Sequence, residues 1–121
     1  MGIKRFFSKL STSQQVHDRD SLRAFCADLP ITTHIADLQD RAEATVAGEI
    51  SSLRIVPSKV GGAPWLEATI KDGTGSLVVL WTGRRRIAGV KPGVRLLVTG
   101  RSTPKGRTGR PTLYNPVYRL L

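Results

Sequence analysis

Cysteine, histidine and acidic side chains are the scarce residues of this 121-residue chain. One cysteine, Cys26, excludes an internal disulfide framework and a cysteine-based zinc site. The two histidines, His17 and His34, have no neighbours at metal-ligand or catalytic-triad spacing. No metal or cofactor is therefore expected. No stretch approaches the roughly 18 apolar residues that a membrane-spanning helix requires, so no membrane partner is expected. The basic start, Lys4, Arg5 and Lys9, is not followed by an apolar run of signal-peptide length. Position 6 is Phe6, where a myristoylation pattern needs Ser or Thr. The single thiol fits a cytoplasmic protein.

What is abundant is positive charge, and it is unevenly placed. Lys plus Arg total 19 against 9 Asp plus Glu, a formal net charge of +10. Residues 1–40 balance, and so do residues 41–72. Residues 73–121 hold ten cations, eight of them Arg, and no acid. Such a segment repels itself unless a polyanion neutralises it, and the guanidinium fork suits phosphate. Apolar residues make up 40%, enough for a core.

Residues 11–28 read as a helix. Ser11 and Thr12, each three before a Gln, offer capping-box starts. Leu22, Phe25, Cys26 and Leu29 share one face, and Pro30 ends the helix. On that face Cys26 is a small buried apolar residue rather than a nucleophile. Residues 31–41 connect, with a short amphipathic stretch from Ile35 to Leu38. From Ala44 the texture is short strands. Ala44 to Val56 alternates, and Gly48 within it predicts a bulge or sharp bend. After a Pro- and Gly-rich loop, Leu66, Ala68 and Ile70 face inward while Trp65, Glu67, Thr69 and Lys71 face out. Asp72-Gly73-Thr74-Gly75 is a hairpin signal. Ser76 to Trp81 is a third strand, 83–90 suits a helical turn or two, and Val94 to Thr99 is a fourth strand. A basic Gly-rich loop precedes a fifth strand, Leu113 to Leu121, which Pro116 bulges or confines to an edge. The chain divides into an N-terminal tail and helix, 1–41, and a domain, 42–121. The fold class is mainly β: a five-stranded Greek-key barrel of the OB type with an N-terminal helix.

The same residues resemble a known family. Val46-Ala47-Gly48-Glu49-Ile50, the run from Leu66 through Asp72-Gly73-Thr74-Gly75 to Trp81, and Lys91-Pro92-Gly93 leading to Gly100 are similar to OB-fold nucleic-acid-binding domains. The likeness is to the anticodon-binding and RecG-helicase-wedge branches. With Trp81 to Val90 and Tyr114 to Tyr118 added, residues 35–121 look like a small stand-alone actinobacterial family of such proteins. The resemblance implies nucleic-acid binding. It brings no helicase or synthetase activity, because this chain has no such portion.

OB domains bind across their second and third strands, flanked by the loops between strands one and two and strands four and five. Single-strand binding needs cations for the backbone and aromatic planes for the bases. The candidates are Trp65 and Lys71 on strand two, Arg54 and Lys59 at the first loop, Lys105, Arg107 and Arg110 at the other, and Tyr114. Trp65 is open to two readings, stacking on a base or packing on the N-terminal helix. Trp81 reads as core. Tyr114 and Tyr118, four apart, share a face if one strand carries both, and either stack bases or pack across strands. Glu67 beside Trp65 works against an anionic ligand there. Arg84, Arg85 and Arg86 join the candidates; off the usual groove, they suit a duplex arm or a partner protein, and replacing all three is expected to weaken nucleic-acid binding. No acid–base pair, Walker loop or complete dinucleotide fingerprint is present, so no enzyme is expected. The expected partner is DNA, single-stranded or branched, ahead of RNA or tRNA. The alternative is a protein-interaction adaptor.

Overall fold

The computed structural model describes residues 16–58, 61–103 and 109–121. The capping boxes at Ser11 and Thr12, the tail residues Lys4, Arg5, Phe6 and Lys9, and the loop cations Lys59, Lys105 and Arg107 lie outside the described residues. Helix α1 runs over 16–27, and a 3-10 turn, η1, spans Ile35–Asp37. Six strands follow: β1 Glu43–Val56, β2 Trp65–Lys71, β3 Ser76–Trp81, β4 Arg95–Thr103, β5 Thr112–Tyr114 and β6 Val117–Leu120.

β1 is long enough to serve two neighbours. Its first half pairs antiparallel with β4, from Glu43↔Arg101 to Glu49↔Arg95. Its second half pairs with β2, from Glu49↔Lys71 to Val56↔Trp65. The strand turns from one partner to the other at Gly48. A Cβ there would run into Ile70 Cγ2 and lie 2.8 Å from Lys71 O, so only glycine permits this approach. A bulge follows at Ser51, whose Oγ donates to Thr69 O at 3.2 Å. β2 pairs with β3, β3 runs parallel to β5, and β5 pairs with β4, so the ring closes.

The predicted fifth strand is broken in two. Ser102 opposes Leu113, but Thr99 opposes Val117, which leaves one extra residue on the second strand. Asn115 takes it up at φ 50°, a backbone that Asn tolerates better than most residues. Its N–H donates to Leu80 O at 2.7 Å, and its Oδ1 accepts from Thr82 N–H at 2.9 Å. The expected helical turns over 83–90 form turns without a helix, anchored by buried Ile87 and Val90.

The barrel core is aliphatic, with Val46, Ile50, Ile70, Leu77, Leu96 and Leu113 buried in it and Trp81 at its margin. Ile35 and Leu38 of the connector belong to this same core. α1 lays Leu22 and Cys26 on Ala47, with Phe25, Leu29 and Leu97 around them, the stripe predicted from spacing. Ala47 faces away from the barrel core and is buried only because α1 covers it.

Candidate nucleic-acid interface

Residues opposite one another on paired strands point to the same face. The ladder therefore sets Arg54, Glu67, Leu80 and Tyr114 in one row across β1, β2, β3 and β5. Thr69, Val78 and Thr112 form the next row. Both rows lie on the outer face, because their neighbours Ala68, Val79 and Leu113 fill the core. Trp65 begins β2 on this face, half-buried, and meets the edge of Tyr114 with ring centroids 6.5 Å apart and planes at 89°. Trp65 thus packs on Tyr114, not on α1. Tyr114 itself is 51% exposed. The result is a shallow platform of two aromatic rings beside Leu80 and Val78, bordered by threonines. It lies between the roots of two loops, at Val56 and Trp65 on one side and at Thr103 and Thr112 on the other.

Glu67 does not leave this platform acidic. Its Oε2 accepts from Arg54 Nη2 at 3.1 Å, a cross-strand ion pair in which Glu67 is 18% and Arg54 71% exposed. Arg54 is partly spent on that neutralisation. Lys71 is exposed at the other end of β2, six residues and about 20 Å from Trp65 along the strand. It lines a cleft of about 710 Å³ with Asp18 and Arg19 of α1. Arg110 is exposed at the root of the second loop, and the next residue, Pro111, accepts from Val78 N–H at 3.0 Å. That bond ties the loop to the platform.

Tyr114 and Tyr118 do not share a face. The extra residue at Asn115 reverses the alternation, so Tyr114 points out while Tyr118 turns to the core side. There it meets Trp81 edge-on at 6.0 Å. Trp81 is buried, as its pattern predicts, and its Nε1 donates to Pro116 O at 3.4 Å. Arg84, Arg85 and Arg86 are exposed, but Arg85 and Arg86 line a separate groove with Leu53, Ile55, Leu66 and Val90. Arg54, of the platform row, lines that groove as well.

Two charged residues have structural tasks that spacing does not announce. Arg95 is one of the ten C-terminal cations, yet its guanidinium lies over the Phe25 ring at 4.3 Å and its Nε is 3.6 Å from Glu49 Oε1. It holds α1 to the barrel. Asp72 is buried with both oxygens engaged. Oδ1 accepts from Thr74 N–H, Thr74 Oγ1 and Gly75 N–H at 2.8, 2.6 and 3.2 Å. Oδ2 accepts from Ile35 N–H at 2.8 Å, joining the β2–β3 turn to η1. A carboxylate so fully engaged is a structural tie. Burial pushes the Cys26 thiol up to about 11, aided by the Asp72 charge and opposed by Arg95. Leu80 and Val78 were hidden as platform residues, because β3 reads as five consecutive apolar positions without alternation.

The sequence matches no family profile and no curated protein. Solved structures do match. The replication factor A related protein from Methanobacterium thermoautotrophicum superposes with TM-score 0.55 and 22% identity, over 74% of this chain and 90% of that one. The barrel is an OB fold. RecG, in a structure bound to a three-way DNA junction, matches with TM-score 0.57 and 19% identity over 73% of this chain. The match spans 12% of the RecG chain. In this OB barrel the ring of β1, β2, β3, β5 and β4 is complete, and the aromatic platform lies on its β2–β3 face.

Proposed function

We propose that the chain is a non-catalytic protein that binds single-stranded or branched DNA across the β2–β3–β5 platform. The observation that carries this is the Trp65–Tyr114 pair, two aromatic rings on the outer face between the two loop roots of a strongly basic OB barrel. Aromatic faces stack bases of any sequence, and flanking cations follow the phosphates. Trp65 and Tyr114 would carry the bases. Lys71, Arg110 and the unspent part of Arg54 would meet the backbone, with Lys59, Lys105 and Arg107 from the loops. The fold likeness to RecG, in a structure bound to a three-way DNA junction, supports DNA over RNA. We further read the chain as a cytoplasmic protein.

The test is fluorescence anisotropy with labelled single-stranded DNA, a forked duplex and a matched RNA, each over a salt series. Contact with four to six phosphates predicts a single-strand slope of log K against log salt of roughly −3 to −4. Tightest binding to the RNA would transfer the site to the 2′-hydroxyl-bearing ligand. No binding to any of the three at low salt would overturn the proposal.

A further inference from the structure

The end of the barrel beside β1 and β2 is not closed. Ile55 pairs in register with buried Leu66 on the core side of the hairpin, yet it is 55% exposed. The segment 83–90 makes only turns and leaves a groove of about 420 Å³ between itself and the hairpin. Leu53, Ile55, Leu66 and Val90 line it, and the exposed Arg85 and Arg86 stand at it. Arg54 reaches it from the platform side. No acidic side chain lines it among the described residues.

This combination specifies its occupant. Paired guanidinium groups without a local acid call for an anion. The floor is branched and aliphatic, and it carries no aromatic plane on which a base could stack. The polar edges of a nucleobase would lose their hydrogen bonds to water against such a floor without replacement. A large apolar side chain fits it, and flanking carboxylates fit the rim. The volume falls within the roughly 300–1,000 Å³ of ordinary binding pockets. We infer that this groove docks an acidic segment of a partner protein through one large apolar anchor residue. The groove lies on the core side of the hairpin and the platform on its outer side, with Arg54 standing at both, so on the nucleic-acid reading proposed above the partner and the nucleic acid bind on adjoining faces.

The test uses the full chain, a labelled acidic nonapeptide with one central phenylalanine, the same peptide with alanine in its place, and a dT oligonucleotide. Amide shifts in a ¹⁵N-labelled sample locate each ligand. The phenylalanine peptide is expected to move the amides of Leu53, Ile55, Leu66 and Val90, and to bind at least tenfold more tightly than its alanine version. Arg85→Glu with Arg86→Glu, and separately Ile55→Ser, should each weaken it at least tenfold; all three positions are exposed, and spectra of the free variants check the fold. Trp65→Ala should leave peptide affinity unchanged. Equal binding of the two peptides would overturn the inference, because it would show charge attraction alone. Groove amides that respond to the oligonucleotide and not to the peptide would overturn it in favour of nucleic acid. Mapping on the unaltered protein decides between these outcomes even if a variant misfolds.

Discussion

Asp72 shows how much of this barrel depends on single polar side chains. It accepts four hydrogen bonds while buried, three within its own turn and one from Ile35. Asp72→Ala would strand buried backbone donors, and we expect a loss of about 3 kcal/mol in urea unfolding, with Asp72→Asn recovering part of it. Cys26 gives a prediction in pH. Its folded thiol titrates near 11 against an ordinary 9.0, so the unfolded chain loses its proton first as pH rises. The stability it contributes is whole below pH 9 and is lost by about 11, a fall of about 2 kcal/mol. Urea unfolding between pH 8 and 11 should show a steeper decline for the native chain than for Cys26→Ala. On the platform, Trp65→Ala is expected to weaken single-stranded DNA by about 1–3 kcal/mol in anisotropy titrations. Thermal unfolding of that variant should stay close to the native curve.

The elements differ in how openly the sequence declares them. α1 was legible from the spacing of Leu22, Phe25, Cys26 and Leu29, because a helix buries one stripe and spacing is all that stripe requires. β2 was legible from its alternation, and Gly48 marked the bend in β1. The last strand was legible only as far as Tyr114. A single added residue at Asn115 turns Tyr118 inward, and no count along the sequence reveals that offset before the partner strand is known. The same holds for Arg95, whose partners Phe25 and Glu49 are brought to it by α1 packing and by β1–β4 register. The platform was therefore half visible: Trp65 and Tyr114 by residue type, Leu80 and Val78 not at all. α1 is held by a small cluster, by Arg95 over Phe25 and by its close approach to Gly73, so Phe25→Ala, which removes two of these contacts, should loosen it locally. Hydrogen exchange should then quicken over residues 16–27 while β1 to β4 stay protected.

At the scale of the whole molecule, charge is the dominant asymmetry. With a formal +10 on 121 residues and the excess beyond residue 72, the folded barrel repels itself in dilute buffer. The melting temperature should therefore rise as sodium chloride increases to about 0.15 M, where the Debye length has shrunk to about 8 Å. Affinity for single-stranded DNA should fall over the same range, so stability and binding move in opposite directions with salt. The ring itself has a consequence in time. β1 is translated early, but the partner of its first half comes late: Thr45 and Thr99, hydrogen-bonded across the β1–β4 seam, are 54 residues apart. Until β4 leaves the ribosome, that half of β1 is an unpaired edge, open to pairing with other chains. The seam of the barrel sets both the pace of its folding and the interval in which it is most prone to aggregate.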